Sequence, residues 1–396
     1  MTDQTEPAIE PFGFLAPPAG PEIDPAPEPD DTWELPGGTA WIYYGDGHTG
    51  LQRPVLLSDG FETGPSRLDV LWEGLERGDF AFISELRAKG RDLVLIGYHD
   101  RSASILVNAQ AVIAAIQLAI SHRQSDQGLL VGGFSMGGLV TRYALAKLED
   151  EGVDHQTEVY LSFDSPHRGA WVPIGLQALA HFLIAVPALS RQINSPAARQ
   201  LLVRHISTVE GVPAEDELRT EFLAELKRVG WWPARPRKIG VANGTGDGTG
   251  NGVPAGAEAL KVSSGWFKGT TLHTQATGDE QVVAKLKGLL RQHTVSTSGL
   301  PDLDGAPGGT LETFGIAGDK LKLTGKTEVT HRSISFVPSV SAVAIRDLDE
   351  HQEVYTDISA LDPQESELDE FLLSATNEPH SHMSPELGRW ILDRLP

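Results

Sequence analysis

Cysteine is absent from the 396 residues, which excludes disulfides, thiolate nucleophiles and cysteine-ligated zinc or iron–sulfur centres. Positive charge is scarce. The chain has 32 Lys and Arg against 54 Asp and Glu, a formal net charge of −22, and no Lys or Arg precedes Arg53. Nucleic acid is therefore not an expected partner, because phosphates reward clustered Lys and Arg. Electrostatic docking on an anionic membrane is not expected either. No run approaches the roughly 18 apolar residues of a spanning helix, so no integral membrane segment is expected. The opening stretch MTDQTEPAIEPFGF carries neither the positive region nor the apolar core of a secretory signal. Cytoplasm is thus the default location, with secretion by another route left open.

The rest of the composition is that of a globular protein. Hydrophobic residues make up 40% and charged residues 22%, enough for a sizeable core. The 42 Gly and 26 Pro imply many turns. The length allows one large domain with insertions or two to three small ones.

Residues 1–31 hold eight prolines and eight acidic residues and read as a disordered acidic tail. From 32 onward the chain alternates short apolar runs with helical periodicity. Strands are expected at 41–44, 54–58, 92–97, 128–134, 159–163, 238–242 and 371–376. Helices are expected at 103–122 and 136–151, at a stretch closed by Gly90, and from Ser384 to about Leu395. Continuous apolar strands alternating with helices define an α/β fold, a mostly parallel sheet covered on both faces. Two insertions interrupt the rhythm. Residues 171–236 read as a helical cap or lid, and 253–345 as a β-rich insertion whose only helical periodicity lies around 279–292.

The strongest chemical signal is Gly133-Phe134-Ser135-Met136-Gly137, a G-x-S-x-G between an expected strand and an expected helix. A serine that must lift its Oγ above a sheet needs a sharp, strained turn, and glycine lets neighbouring backbone pass close to it. Ser135 is the candidate nucleophile. A serine alcohol is a poor nucleophile and needs a base held by a carboxylate. In this architecture the order along the chain is Ser, then Asp or Glu, then His. Asp247, the only carboxylate in the turn after 238–242, is the preferred acid, with Asp164, Asp357 and Asp347 as alternatives. His380, in the loop between the last strand and the last helix, is the preferred base over His382. His167, in Ser165-Pro166-His167-Arg168-Gly169, is read as fixing its loop. Two backbone N–H groups, of Met136 and Phe61, are the expected oxyanion donors. Asp59 is expected to brace the Phe61 loop. Leu179, Phe182 and Leu183 fall at helical spacing in the apolar stretch 171–190, either as a packed core helix or as a lid or acyl-binding wall.

The loop LSDGF (Leu57 to Phe61), the elbow GFSMGGLVTRYAL (Gly133 to Leu145), the block SFDSPHRGA (Ser162 to Ala170) and the ending NEPHSHMSPELGRWIL together resemble α/β-hydrolase lipases and esterases. The resemblance is to the branch with inositol-deacylase-like and secreted bacterial triacylglycerol lipases. It spans about 38–245 and 366–396, and at Asp164 the family more usually has glycine. It implies an α/β-hydrolase fold and cofactor-free hydrolysis of a small-molecule, lipid or polyester ester through an acyl-enzyme. Acyl transfer or amide hydrolysis by the same three residues, or a non-catalytic binding protein of the same fold, are the alternatives. The sequence leaves open any metal in the Gly-rich turn 244–250, the acyl length and the oligomeric state.

Overall fold

The computed structural model describes residues 23–346 and 353–395. In chain order its strands are β1 Asp31–Leu35, β2 Gly38–Tyr43, β3 Pro54–Ser58, β4 Asp92–Tyr98, β5 Leu129–Phe134, β6 Thr157–Phe163, β7 Arg237–Ala242, β8 Glu258–Val262, β9 Thr271–His273, β10 Gln281–Lys287, β11 Gln292–Thr297, β12 Gly308–Leu311, β13 Thr327–Val329, β14 Ile334–Pro338 and β15 Glu370–Leu373. Its α-helices are α1 Leu68–Glu76, α2 Phe82–Ala88, α3 Ile105–His122, α4 Met136–Asp150, α5 Ile174–Phe182, α6 Pro187–Ile193, α7 Pro196–Leu201, α8 Glu217–Arg228, α9 Thr313–Leu321, α10 Ser339–Ala342 and α11 Pro385–Leu392.

Among the described residues eight strands form the central sheet, in the order β1-β2-β4-β3-β5-β6-β7-β15. β1 and β2 form an antiparallel hairpin, and β2 also runs antiparallel to β4. From β4 through β15 every pairing is parallel. β3, β4 and β5 are buried along their whole length, as expected for parallel strands covered on both faces. α3 is long and apolar enough by composition to cross a membrane. Here it packs on α4 and on the first four strands, and buries Ile105, Ala109, Val112 and Ile116. α2 stops where Gly90 takes φ +67°, a left-handed conformation that costs glycine little. α11 starts where Ser384 Oγ accepts the N–H of Leu387, with Pro385 in the first turn.

Three expectations are corrected. Residues 1–22 of the expected tail lie outside the described residues, but Asp24 to Asp31 are held. Arg77 donates to the carbonyls of Asp24 and Pro25, Tyr43 Oη donates to the carbonyl of Pro27, and β1 begins at Asp31. The helical periodicity around 279–292 is a β-hairpin: β10 pairs antiparallel with β11, and buried Val283, Ala284 and Leu286 face inward beside exposed Lys285 and Lys287. Of the two readings of α5, the structure has the packed helix, and the expected substrate-binding residues are covered. Leu179, Phe182 and Leu183 are each 1% exposed, because the five-stranded sheet β11-β10-β9-β8-β13 covers them. Gly175 lies so close that a Cβ there would stand 2.5 Å from the carbonyl oxygen of Val283.

Candidate active site

β5 ends at Phe134, and Ser135 turns at φ 52°, ψ −123° before α4 begins at Met136. A non-glycine residue at positive φ is strained and survives only where its surroundings hold it. Here Ser135 N–H donates to the carbonyl of Phe163 at the end of β6, at 2.9 Å. The flanking glycines are sterically required. A Cβ on Gly133 would overlap the backbone of Gly137. One on Gly137 would overlap the Ser58 carbonyl and stand 2.6 Å from that of Asp59, and one on Gly138 would overlap Ser165 Oγ.

His380 Nε2 lies 2.7 Å from Ser135 Oγ, and His380 Nδ1 lies 2.6 Å from Asp164 Oδ2. With Nδ1 protonated, the ring donates to Asp164 and accepts from the serine hydroxyl. Asp164, not Asp247, is the carboxylate brought to the base. The strand order explains it. β6 is the neighbour of β5, Phe134 pairs with Phe163, and Ser135 and Asp164 therefore leave adjacent strands at the same level. β7 lies one strand further out, and its turn is drawn to the edge, where Gly246 accepts from Ser359 N–H. Asp247 ends exposed, its carboxylate accepting the backbone N–H of Thr249, which holds its pKa below the usual carboxylate range. Asp357 is exposed and accepts from Ser359 Oγ, while Asp347 lies outside the described residues.

Asp164 is fully buried at φ 46°. Its N–H donates to the Val241 carbonyl at 2.8 Å, and its Oδ1 accepts from Asn243 N–H at 3.1 Å. A left-handed backbone at this point suits glycine and is tolerated by Asp. The one signal in the sequence for Asp164 was a carboxylate directly after a buried strand, a signal that the turn after β7 shared.

His380 is held by the β-rich insertion. Its N–H donates to the Thr310 carbonyl, and Thr310 N–H donates to the Glu378 carbonyl, each at 2.8 Å. Phe336 of β14 sets its ring edge-on to the imidazole at 4.9 Å. Asn377 clips the region together, its Oδ1 accepting from Thr245 N–H and Gly308 N–H. His382 points away, toward Asp79 at 3.0 Å and Glu378 at 3.3 Å. His167 is buried, 2.7 Å from Ser162 Oγ and packed on Trp232, and burial pushes its pKa well below the ordinary value. It fixes the 165–169 turn that follows Asp164.

The loop bearing Phe61 passes beside the nucleophile. A Cβ on Gly60 would stand 3.3 Å from both Ser135 Cβ and the Phe134 carbonyl oxygen. Asp59 braces the loop, accepting from Gly60 N–H and Ser66 Oγ at 2.7 and 2.6 Å. Burial raises its pKa. Among the described residues no protein acceptor takes the N–H of Phe61 or of Met136, the first residue of α4. The N–H of Met136, directly after Ser135, stands at the positive end of a helix dipole. The described residues form no cluster of three or more His, Asp and Glu suited to a metal.

No protein-family model and no curated protein matches the chain. Solved structures similar to it include a lipase of Bacillus licheniformis, BlEst2 in mature form, at 13% identity and TM-score 0.33, covering 54% of this chain and 74% of that one. An esterase of Pyrobaculum calidifontis is 10% identical at TM-score 0.35, covering 54% and 65%. Brefeldin A esterase, a bacterial homologue of human hormone-sensitive lipase, is 13% identical at TM-score 0.31, covering 58% and 63%. The class rests on this chain's own strand order and on the turn between β5 and α4, which together are the α/β-hydrolase fold.

Proposed function

We propose that the protein is a serine hydrolase of carboxylic esters, with Ser135 as nucleophile, His380 as base and Asp164 as the carboxylate that holds the base. One observation carries this reading: an unbroken chain of short contacts from a hydroxyl on a strained turn, through an imidazole, to a buried carboxylate. Ser135 Oγ attacks the ester carbonyl carbon as its proton passes to His380 Nε2. The carbonyl oxygen becomes an oxyanion facing the N–H groups of Met136 and Phe61. Collapse breaks the carbonyl–alkoxy bond, and His380 returns the proton to the departing alcohol. Water, deprotonated by the same nitrogen, then attacks the acyl-serine and releases the acid. Asp164 keeps the proton on Nδ1 throughout and stabilises the imidazolium.

A fluorophosphonate probe tests the assignment, together with turnover of p-nitrophenyl esters of increasing chain length. Covalent labelling and turnover that both disappear in Ser135→Ala are expected. An unlabelled wild type, or a Ser135→Ala protein that still labels and turns over, rejects it.

A further inference from the structure

Exposed aliphatic side chains are scattered over the described surface, at Val107, Val153 and Leu323 among others, but two stand side by side at the tip of one hairpin. β10 and β11 are joined by a tight loop closed by the Gly288 N–H to Arg291 carbonyl bond. Its tip is Leu289-Leu290, with Leu290 95% exposed and Leu289 50%. Turn tips are ordinarily polar, so two leucines there need an explanation. Two further exposed aliphatics each lie two residues beyond a residue that touches the hairpin. Ile184 lies two residues past Phe182, whose ring meets His293 and the Arg291 guanidinium. Val212 lies two residues past Glu210, whose carboxylate is 3.4 Å from His293 Nδ1.

Charge identifies the occupant. The chain carries −22 overall, yet from Gln281 to Pro301 there is no Asp or Glu, while Lys285, Lys287 and Arg291 flank the leucines. Lys285 and Lys287 share the exposed face of β10, and among the described residues neither meets a carboxylate. Lys285 pairs across Thr271 with Lys261 in the next strand but one, and there Lys261 is itself 3.8 Å from Glu258, so the unpaired cations are those of β10. Screening confines the acidic remainder of the molecule to a reach of about 8–10 Å. An apolar tip with a cationic collar matches a surface of acyl chains beneath anionic headgroups.

We propose that the β10–β11 hairpin docks the protein on an anionic phospholipid surface, Leu289 and Leu290 entering the acyl region while Lys285 and Lys287 sit at the phosphates. This is independent of what Ser135 does. The test is co-sedimentation of the full chain with phosphatidylcholine vesicles, with and without phosphatidylglycerol. Binding that requires phosphatidylglycerol and weakens with salt is expected. It should fall about tenfold for each of Leu289→Ser and Leu290→Ser, the transfer free energy of one leucine side chain. It should fall about fivefold for each of Lys285→Gln and Lys287→Gln. The tip is exposed, so thermal unfolding and ester turnover in solution should not change in these variants. Wild-type protein left in the supernatant, equal binding with and without phosphatidylglycerol, or leucine variants that bind as wild type would each overturn the proposal. So would light scattering showing a dimer that Leu290→Ser dissociates, since the patch would then belong to a second copy of the chain.

Discussion

Replacing Asp164 by Asn separates its role from that of Asp247 with little disturbance of the backbone. Asn tolerates the left-handed φ of 46° that Asp164 occupies, and the two side chains have nearly the same volume. The hydrogen bonds then fix the orientation of the amide. Asn243 N–H already donates to Oδ1 at 3.1 Å, so the amide oxygen takes that position and the NH2 replaces Oδ2, 2.6 Å from His380 Nδ1. An N–H facing Nδ1 makes that nitrogen an acceptor and moves the ring proton to Nε2. Nε2 then faces Ser135 Oγ with a proton of its own and no lone pair. In serine hydrolases an equivalent change of tautomer costs about 10⁴ in kcat, or about 5.5 kcal/mol of barrier. The assay is steady-state turnover of a p-nitrophenyl ester, with unfolding measured in parallel. Asp164→Asn should lose about four decades of kcat, whereas Asp247→Asn, at an exposed turn, should stay within about twofold. An Asp164→Asn protein within about tenfold of wild type, or an Asp247→Asn protein that loses activity on that scale, would refute the assignment.

Three further outcomes are expected. His380→Ala should lose at least about 10³ in kcat, and His382→Ala, whose ring faces Asp79 and Glu378 near the surface, should keep turnover within about threefold. Asp304, buried between Trp171 Nε1 and Gln275 N–H, has its pKa raised by burial to about 6. A carboxyl whose folded pKa lies above its unfolded value of 3.8 contributes stability below that value and loses it as pH rises through about 6. Unfolding free energies from about pH 4 to about pH 7 should therefore fall more steeply in wild type than in Asp304→Asn, by on the order of 3 kcal/mol. Identical slopes would refute this assignment of the titration.

The central sheet was legible because its strands are continuous apolar runs bounded by turn residues. β3 spans Pro54–Ser58 as read, and β5, β6 and β7 shift by two residues or fewer. Ser135 was legible because the glycines around it have no other tolerable occupant. His380 was legible from its place before an N-capped helix. The acid was not, because choosing between the ends of β6 and β7 requires knowing which strand lies beside β5 and where each turn then goes, and that is tertiary information. Asp164 also stands where the resembling family more usually has glycine. The backbone accounts for this, since the position demands positive φ, which glycine adopts freely and Asp tolerates. The β10 segment misled for another reason: seven residues with Val283, Ala284 and Leu286 buried fit a helical and a strand period almost equally well.

The β-rich insertion belongs to the site and is not an appendage to it. β12 reaches the site twice, through Gly309 against the Asp164 carboxylate and through Thr310 on both sides of the His380 loop. A Cβ on Gly309 would overlap Asp164 Oδ2, so in Gly309→Ala either the carboxylate or the strand must give way. The carboxylate is fixed by Asn243 N–H and by its own backbone bond to Val241, so the strand should move and take Thr310's hold on His380 with it. A small displacement of the imidazole lengthens its contact with Ser135 without touching a binding surface. Gly309→Ala should therefore lower kcat by roughly 10²-fold, with KM near wild type and the fold intact by circular dichroism. Unchanged kcat would mean that the insertion packs beside the reacting groups without positioning them.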